Sequence, residues 1–191
     1  MPKNAVFLLK PQLAHHRAFI DGLSELQAHQ HERYYVEENL DLAQLSNKKF
    51  FKEYLAYLAE QELGINLAPN RVPQSIYWLM EEQTDGQLVW IGRVSIRHRL
   101  NDKLRKIGGH VGYVIRPSAR RQGYGSRLLA LTLEKIRQHQ PKIDTKQALL
   151  TCDETNLGSK KIIEKNGGIF ANSLVQDDSP VRKLRYWVPY T

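Results

Sequence analysis

Residues 120–127 combine positive charge with glycine, a pattern that favours the binding of a phosphate group. This segment, Arg-Arg-Gln-Gly-Tyr-Gly-Ser-Arg, follows a strand-like stretch that Pro117 stops, and it precedes an amphipathic stretch. A turn from a strand into a helix gathers unpaired main-chain N–H groups at the helix N-terminus, and such a point attracts anions. Gly123 and Gly125 lack Cβ atoms, so a phosphate could approach the backbone closely. The alternative is an ordinary turn in which the two glycines only ease the bend.

The positive charge of the chain is concentrated around this segment. The chain has 191 residues, with 28 Lys and Arg against 20 Asp and Glu, and a formal net charge of +8. Residues 93–142 carry a net charge of +11, whereas residues 1–92 carry −4 and residues 143–191 carry +1. A block this positive predicts an anionic partner, either a nucleic acid or a polyphosphate cofactor. A nucleic-acid surface would typically add exposed aromatic residues or a recognisable motif, and only Tyr113 and Tyr124 lie nearby, so a polyphosphate is favoured.

Hydrophobic periodicity predicts the elements that must position this segment. Residues 1–74 read as mainly helical, with one helix that Ser46 or Asn47 caps and Gly64 ends. Over the rest of the chain, a period of two predicts strands and a period of about 3.6 predicts helices. The strands cover 75–80, 87–96, 109–115, 147–152, 169–176 and 182–190, and the helices cover 125–138 and 157–166. The predicted fold is therefore mixed α/β, a mainly antiparallel sheet flanked by helices, in a single domain over residues 1–191.

Two motifs of this chain resemble those of the GNAT N-acetyltransferases. Arg120-x-x-Gly123-x-Gly125, after a strand that ends at Pro117, is similar to the loop with which that family binds the pyrophosphate of acetyl-CoA. Downstream, the strand 149–153, an asparagine and the helix end 163–168 (Ile-Glu-Lys-Asn-Gly-Gly) are similar to a second family element. The resemblance covers roughly residues 75–191 and implies a GNAT-like fold, with acetyl-CoA as co-substrate and an amine as acceptor. Residues 1–74 would be the substrate-facing part, and the acidic charge of residues 1–92 slightly favours a cationic amine.

The resemblance also implies which residues bind the cofactor. The main chain of Tyr113, Val114 and Ile115 would contact the pantetheine arm and the thioester. Because this strand splays from its neighbour in the family, an N–H group there would stabilise the negative charge that develops on the thioester oxygen. Asn156 would hold the pantetheine arm, cap the following helix, or do both. The pyrophosphate would be bound by six consecutive main-chain N–H groups, those of Arg121, Gln122, Gly123, Tyr124, Gly125 and Ser126.

For the proton chemistry, the sequence predicts His110 as the catalytic base. An alkylamine has a pKa of about 10.4 and is mostly protonated at neutral pH, so a base must accept its proton. His110 lies on the predicted strand 109–115, about where many family members have a glutamate, and an imidazole titrates near neutrality. The alternative role for His110 is that of a histidine packed or hydrogen-bonded within the sheet. Asp153 and Glu154 are reserve candidates, although carboxylates that cap a loop are the simpler interpretation.

One position departs from the family pattern. Many members have a tyrosine seven residues after the asparagine, as the acid for the departing thiolate, and this chain has Ile163 there. A thiol has a pKa of about 8.5, so the thiolate of CoA can leave with little assistance, or Tyr113 or Tyr124 supplies a hydroxyl. Because Ile163 replaces this tyrosine, the chain could instead be a module that binds acyl-CoA without catalysing acetyl transfer. A basic nucleic-acid-binding protein is the second alternative.

The remaining signals exclude several classes of site. Cys152 is the single cysteine, which excludes a disulfide framework, and we interpret it as a small buried apolar residue rather than a nucleophile. His15, His16, His29 and His31 read as polar surface, so no metal is expected. The sequence has no apolar stretch near the roughly 20 residues of a membrane span and no recognisable secretory signal, which predicts a cytoplasmic protein without a membrane partner. An edge strand in the C-terminal hairpin could pair with a second copy to form a homodimer.

Overall fold

Two antiparallel β-sheets carry the fold. They are seen in a computed structural model that describes residues 4–29, 40–138, 146–176 and 179–190. His31, interpreted from the sequence as polar surface, lies outside the described residues. So do Pro141, which follows the predicted helix 125–138, and Asp177 and Asp178, which lie between the predicted strands 169–176 and 182–190.

The strands of the two sheets follow each other along the chain with one exception. The first sheet contains β1 (Val6–Leu9), β2 (Gln74–Glu82), β3 (Leu88–Arg97) and β4 (Val111–Ile115), in the order β1-β2-β3-β4. The second sheet contains β5 (Gln147–Asp153), β6 (Ile169–Gln176) and β7 (Ser179–Pro189), in the order β5-β7-β6. All neighbouring strands in these two sheets pair antiparallel. The predicted fold class, mixed α/β with a mainly antiparallel sheet, is confirmed.

The helices of the described residues flank these sheets. They are α1 (His16–Ala28), α2 (Leu42–Ser46), α3 (Lys48–Leu63), α4 (Asp102–Lys106), α5 (Tyr124–Gln138) and α6 (Leu157–Lys165). The predicted cap of α3 is confirmed at Asn47, whose side chain accepts a hydrogen bond from Lys49 N–H at 2.9 Å. Gly64 ends the helix with a φ of 75°, the left-handed conformation that glycine adopts without strain.

Each face of the first sheet is covered by its own helix layer. On one face, α1 and α3 pack against β2 and β3, and Phe19 stacks on the fully buried Trp78 with 4.6 Å between the ring centroids. α1 approaches the sheet so closely that a Cβ at Gly22 would lie 2.2 Å from the Trp90 ring. Successive residues of a strand point to opposite faces. Tyr77 and Leu79, on either side of Trp78, therefore point to the other face, where they share a core cluster with residues of α5. We call these surfaces the α1 face and the α5 face of the sheet.

Two short elements differ from the sequence prediction. β1 lies in the segment that reads as helical, and its four residues, all apolar, show no alternation that would reveal a strand. α4 forms in the charged connection between β3 and β4, where the Asn101 side chain accepts from Leu104 N–H at 2.9 Å and caps it. Neither element is long enough for hydrophobic periodicity to show. β4 begins at Val111 rather than at residue 109, because Gly109 adopts a φ of 61°, which is not a strand conformation.

Candidate functional site

β4 and β5 approach each other at one end only. His110, just before β4, donates its N–H to Leu149 O of β5 at 2.7 Å, and Gly108 N–H donates to Thr151 Oγ1 at 2.9 Å. A Cβ at Gly109 would lie 2.2 Å from Leu149 O. Beyond this point no ladder of main-chain hydrogen bonds joins β4 to β5 among the described residues, and the two strands belong to different sheets. A wedge therefore opens between β4 and β5.

The β3–β4 ladder determines which main-chain groups face this wedge. The hydrogen bonds just beyond its two ends are Arg97 N–H to His110 O at 2.8 Å and Arg116 N–H to Ile91 O at 2.9 Å. Hydrogen-bonded pairs alternate along an antiparallel ladder, so Gly112 and Val114 direct their main-chain groups to β3. The main-chain groups of Tyr113 and Ile115 point to the other side, which we call the outer edge of β4. Of the three residues predicted to contact the cofactor through the backbone, two thus face the wedge and Val114 faces β3.

The turn between β4 and α5 presents a row of main-chain N–H groups. None of the N–H groups of residues 121–126 donates a hydrogen bond to another group within the described residues. Arg121 and Gly123 have positive φ values of 62° and 92°, and such left-handed residues between right-handed ones turn successive N–H groups towards a common concavity. The N-terminus of α5 adds its partial positive charge. We call residues 121–126 the amide cradle, and its chemistry suits a phosphate group.

Glu25 of α1 fixes the beginning of this turn. Its carboxylate accepts hydrogen bonds from Arg116 Nε at 2.5 Å, from Ser118 N–H at 2.5 Å and from Ser118 Oγ at 3.0 Å. The Arg116 guanidinium also forms an ion pair with it. Burial alone would raise the pKa of Glu25, but the hydrogen bonds from Ser118 and Arg116 outweigh burial and lower that pKa below its ordinary value. One charged side chain therefore ties the turn to α1.

Two contacts fix the far end of the amide cradle. The buried Tyr124 hydroxyl donates to Glu81 Oε1 of β2 at 2.5 Å. Burial, together with this hydrogen bond, raises the pKa of Tyr124 to about 12, so the hydroxyl stays protonated. A Cβ at Gly125 would lie 2.5 Å from Ile162 Cδ1 of α6. A side chain at position 125 would thus displace the end of the Ile162 side chain, independently of any phosphate.

The start of α6 brings polar side chains to β4. Asn156 caps α6, since its Oδ1 accepts from Ser159 N–H at 2.9 Å, so the capping role that the sequence allows is present. The Asn156 side-chain amide donates to no group within the described residues. Ser159 Oγ and the Tyr113 hydroxyl are hydrogen-bonded at 2.8 Å. This hydroxyl pair links α6 to β4 beside the wedge.

His110 is held by two hydrogen bonds to one residue of β5. Besides its main-chain N–H, its ring Nδ1 accepts from Leu149 N–H at 2.9 Å. A neutral imidazole whose Nδ1 accepts must carry its proton on Nε2, so no ring lone pair remains to take a proton. Burial, with the positive charges of Arg97 and Arg105, lowers the pKa of His110 to about 4. This geometry favours the alternative role, a histidine hydrogen-bonded in the sheet, over the predicted general base.

The sequence matches a model of the GNAT acetyltransferase domain over residues 8–169, which is well over half of the chain. The chain belongs to the GNAT acetyltransferase family. The match includes the end of β1, α1 and α3 as well as the region that carries the two motifs. The acetyltransferase domain therefore begins earlier than the resemblance over residues 75–191 implies. No curated protein sequence matches the chain significantly.

Solved structures share the fold of this GNAT domain at low sequence identity. The protein yncA of Salmonella typhimurium, solved with its cofactor acetyl-CoA, matches with a TM-score of 0.61 at 14% identity, over 98% of this chain and 95% of that chain. RimJ of Mycobacterium smegmatis, in complex with CoA-disulfide, matches with a TM-score of 0.66 at 16% identity, over 98% and 83%. The ribosomal-protein-S5-alanine acetyltransferase of Vibrio fischeri matches with a TM-score of 0.65 at 13% identity, over 100% and 96%.

The position that departs from the family pattern is part of the core of the GNAT domain. Ile163 is buried, and a Cβ at Gly168 would lie 2.4 Å from its side chain, so this position supplies packing and no hydroxyl. Cys152 is buried as well, and burial raises the pKa of its thiol to about 11. A thiol with this pKa is not ionised at neutral pH, which fits the predicted role of a small apolar residue.

The two reserve carboxylates of the GNAT domain are engaged in the second sheet. Asp153 forms an ion pair with the buried Lys183 at 2.5 Å. Glu154 accepts a hydrogen bond from Arg182 N–H at 2.9 Å. Asp153 thus pairs across the β5–β7 ladder rather than capping a loop, whereas Glu154 binds a main-chain N–H just beyond the ladder, as a capping carboxylate does.

Sequence reasoning missed the two carboxylates that hold the amide cradle of the GNAT domain. Glu25 is 91 residues away from Arg116, and Glu81 is 43 residues away from Tyr124. The only local signal is that both glutamates stand in apolar surroundings, at Leu23 to Leu26 and after Met80. Over the described parts of the chain, no group of three or more His, Cys, Asp or Glu could hold a metal ion. No helix found there is long and apolar enough to span a bilayer.

Proposed function

We propose that this GNAT domain transfers an acetyl group from acetyl-CoA to a primary amine. The observation that carries the proposal is the amide cradle, whose six consecutive N–H groups have no partner within the described residues. The pyrophosphate of acetyl-CoA would accept hydrogen bonds from these groups, as anions do at helix N-termini. Arg121 and Arg127 are exposed beside the cradle and add positive charge. The solved neighbours that contain acetyl-CoA and CoA-disulfide support this choice of anion.

The pantetheine arm would lie in the wedge, along the outer edge of β4. The register directs the main chain of Tyr113 and Ile115 to this edge, and the Asn156 side-chain amide has a donor to offer from α6. The Tyr113 N–H would then donate to the thioester oxygen. Negative charge develops on that oxygen as the amine attacks, and removing one such donor costs about 3 kcal/mol in other enzymes.

The proposed reaction is a direct attack within a ternary complex. The lone pair of the neutral amine forms a C–N bond to the thioester carbon, and the C–S bond breaks to release CoA as a thiolate. The nitrogen loses one proton and the thiolate gains one, so the products are an amide and CoA. No metal ion takes part in the proposal.

The Tyr113–Ser159 hydroxyl pair is the candidate proton donor to the thiolate. Ser159 lies one turn before Ile163 on α6, and therefore on the same side of that helix. The pair is hydrogen-bonded, so a proton given up by one hydroxyl can be replaced through the other. Because a thiol has a pKa of about 8.5, the assistance required of this pair is small.

The proposal extends to the setting in which the domain acts. Residues 1–191 would form a single cytoplasmic domain that requires neither a nucleic acid nor a membrane. The second sheet has β6 at its edge, and Ile169 and Phe170 of this strand are exposed, so a homodimer would form through β6. Light scattering on the protein as it elutes from a size-exclusion column measures the oligomeric state directly.

Release of free thiol from acetyl-CoA across a panel of primary amines tests the proposed function. We expect release that depends on the amine, with the acetylated amine detected by mass spectrometry. A protein that binds CoA but acetylates none of the amines would overturn the proposal.

A module that binds acyl-CoA without turnover is the second candidate function. Two observations favour it: Ile163 stands where many family members have an acid, and the His110 ring has no free lone pair for a proton. The thiol-release assay separates the two candidates, because tight CoA binding with no turnover favours the module.

A further inference from the structure

Part of the basic block lies at the opposite end of β4 from the amide cradle. Residues 97–107 carry five Lys and Arg with one Asp, and residues 116–142 carry seven with one Glu. β4 has five residues, so about 16 Å of strand separates the first group from the cradle. This separation exceeds the Debye length of about 8 Å at physiological ionic strength. A pyrophosphate in the cradle therefore does not account for the first group of charges.

Arg97 and Ser95 border the space that a side chain at position 112 would occupy, which Gly112 leaves empty. These two β3 residues lie with Gly112 on the α1 face. A Cβ at Gly112 would lie 3.1 Å from Arg97 Nη2 and 3.1 Å from Ser95 Oγ. Gly112 is partly exposed, although the preceding Val111 is buried. Solvent thus reaches the backbone of β4 beside a guanidinium, one residue before Tyr113.

Arg97 is a partly buried cation that forms no ion pair with a carboxylate among the described residues. Its Nη1 donates to the carbonyl oxygens of Gly108 and Gly109, at 2.9 and 3.0 Å. Burial, followed by the positive charges of Arg93 and Arg71, lowers the pKa of Arg97 to about 10, which leaves it charged at neutral pH. Burying a charge without a counter-ion is costly, so such groups are typical of sites that bind an ion of opposite sign.

We propose that the acceptor amine carries a carboxylate group that Arg97 binds beside Gly112, while the amine reaches the thioester at the Tyr113 N–H. This inference rests on the proposed function, since it places the thioester at the Tyr113 N–H. The planar guanidinium matches carboxylate and phosphate oxygens with two parallel hydrogen bonds. The sequence slightly favours a cationic acceptor because residues 1–92 are acidic. The side chains nearest to a Cβ built at Gly112, however, are those of Arg97 and Ser95, and neither carries a negative charge.

The same charges would help to form the nucleophile. The bound anionic group would neutralise Arg97 itself, but the positive charges of Arg93 and Arg71 also act at this place. Because nearby cations disfavour a further positive charge, the pKa of an ammonium group bound at Gly112 would fall and the neutral amine would become more abundant. The amine could then lose its proton to solvent without a side-chain base. This matches the geometry of His110, whose ring is bound to Leu149.

Two matched pairs of amines test the proposal. The first pair is β-alanine and its amide, and the second is the tripeptide Ala-Glu-Glu and its isostere Ala-Gln-Gln, both with amidated C-termini. Each compound is titrated calorimetrically into the protein saturated with CoA. We expect the anionic member of at least one pair to bind about tenfold or more tightly than its neutral partner, the gain of one charge-assisted contact. Thiol release from acetyl-CoA should follow the same order.

Variants assign the preference to Arg97. In Arg97→Gln the ratio of the affinity for the anionic amine to that for its neutral partner should fall close to one. Arg97→Lys should retain part of the preference for the anionic amine. Arg99→Gln is the matched control, because Arg99 is exposed and belongs to the same basic group but does not border Gly112. Arg97 also holds two carbonyl oxygens, so a thermal melt accompanies each variant. If Arg97→Gln does not fold, Arg71→Gln, an exposed change, should lower the ratio in part.

The outcomes separate this inference from the proposed function. Equal affinity within both pairs, tighter binding of the neutral members, or no binding of any of them overturns the anionic acceptor. A preference that survives Arg97→Gln overturns the role of Arg97. Absence of acetylation in every case, with CoA bound, contradicts the proposed function but leaves the titration results to decide the anionic site.

Discussion

Replacing Glu25 by Gln should loosen the turn that carries the amide cradle. The substitution keeps the size of the side chain and removes its charge. Glutamine can still accept a hydrogen bond from Ser118 N–H, but the ion pair with Arg116 is lost. The turn would then be tied to α1 by neutral hydrogen bonds only.

The expected cost follows from the burial of the pair. The side chains of Arg116 and Glu25 are 17% and 18% exposed, so solvent screens the ion pair weakly. Hydrogen bonds to charged groups contribute about 1.5–3 kcal/mol, and we expect a loss of about 2 kcal/mol in the free energy of unfolding. For a domain of this size that corresponds to a fall in Tm of about 4–8 °C. The dissociation constant for CoA should rise several-fold, because the turn must be ordered on binding.

The pH dependence provides a second, independent test of Glu25. Its pKa in the folded protein is lowered below the unfolded value of about 4.3. The stabilisation is therefore present above the unfolded pKa and is lost as the pH falls through the folded pKa. The difference in stability between the wild type and Glu25→Gln should be full at neutral pH and should vanish in acid.

Urea unfolding monitored by fluorescence, together with CoA titration, measures these effects. Glu53→Gln is the matched control, an exposed glutamate of α3 whose replacement should change neither quantity. If Glu25→Gln matched the wild type in both stability and CoA affinity, the role assigned to Glu25 would be refuted.

Three further substitutions test the site. Gly123→Val should abolish CoA binding in calorimetry while the far-ultraviolet spectrum stays native, because a valine rarely adopts the φ of 92° found there; normal binding would refute the placement of the pyrophosphate. His110→Ala should leave the pH profile of turnover unchanged between about pH 6 and 9, because the His110 pKa of about 4 keeps the ring neutral there. The same substitution should lower the free energy of unfolding by about 1–3 kcal/mol, because it leaves the Leu149 N–H without its acceptor. A profile that loses a step near the ordinary pKa of histidine would restore His110 as the base. Ser159→Ala should lower kcat without changing KM for acetyl-CoA, because it removes one member of the hydroxyl pair. Lys161→Ala, at an exposed residue of the same helix, is the control. An unchanged kcat in Ser159→Ala would remove the hydroxyl pair from the mechanism.

The parts of the fold that the sequence predicted have local causes. The cap of α3 at Asn47, its end at Gly64 and the turn into α5 each depend on residues within a few positions of one another. The strands that were predicted are long enough to alternate. β1 was missed because four apolar residues have no period, and α4 because its cap at Asn101 stands in a stretch with few apolar residues.

The features of the site that the sequence did not reveal depend on distant residues. Glu25 and Glu81 can be recognised as anchors of the amide cradle only when α1 and β2 are placed beside it. The proton position on His110 is set by the Leu149 N–H, 39 residues further along the chain. The sequence places Arg97 in a basic block, but only the register of β3 on β4 brings it to Gly112.

Calorimetric titration with acetyl-CoA and with acetyl-pantetheine, which lacks the pyrophosphate, tests the central claim most directly. The two ligands share the thioester and the arm that would lie along β4. They differ in the 3′-phosphoadenosine diphosphate part, whose pyrophosphate the amide cradle would bind. We expect acetyl-CoA to bind and acetyl-pantetheine to bind at least about a hundredfold more weakly, since two or more charge-assisted hydrogen bonds are lost. Equal affinities, or no heat with acetyl-CoA, would contradict the assignment of residues 121–126 as a pyrophosphate site.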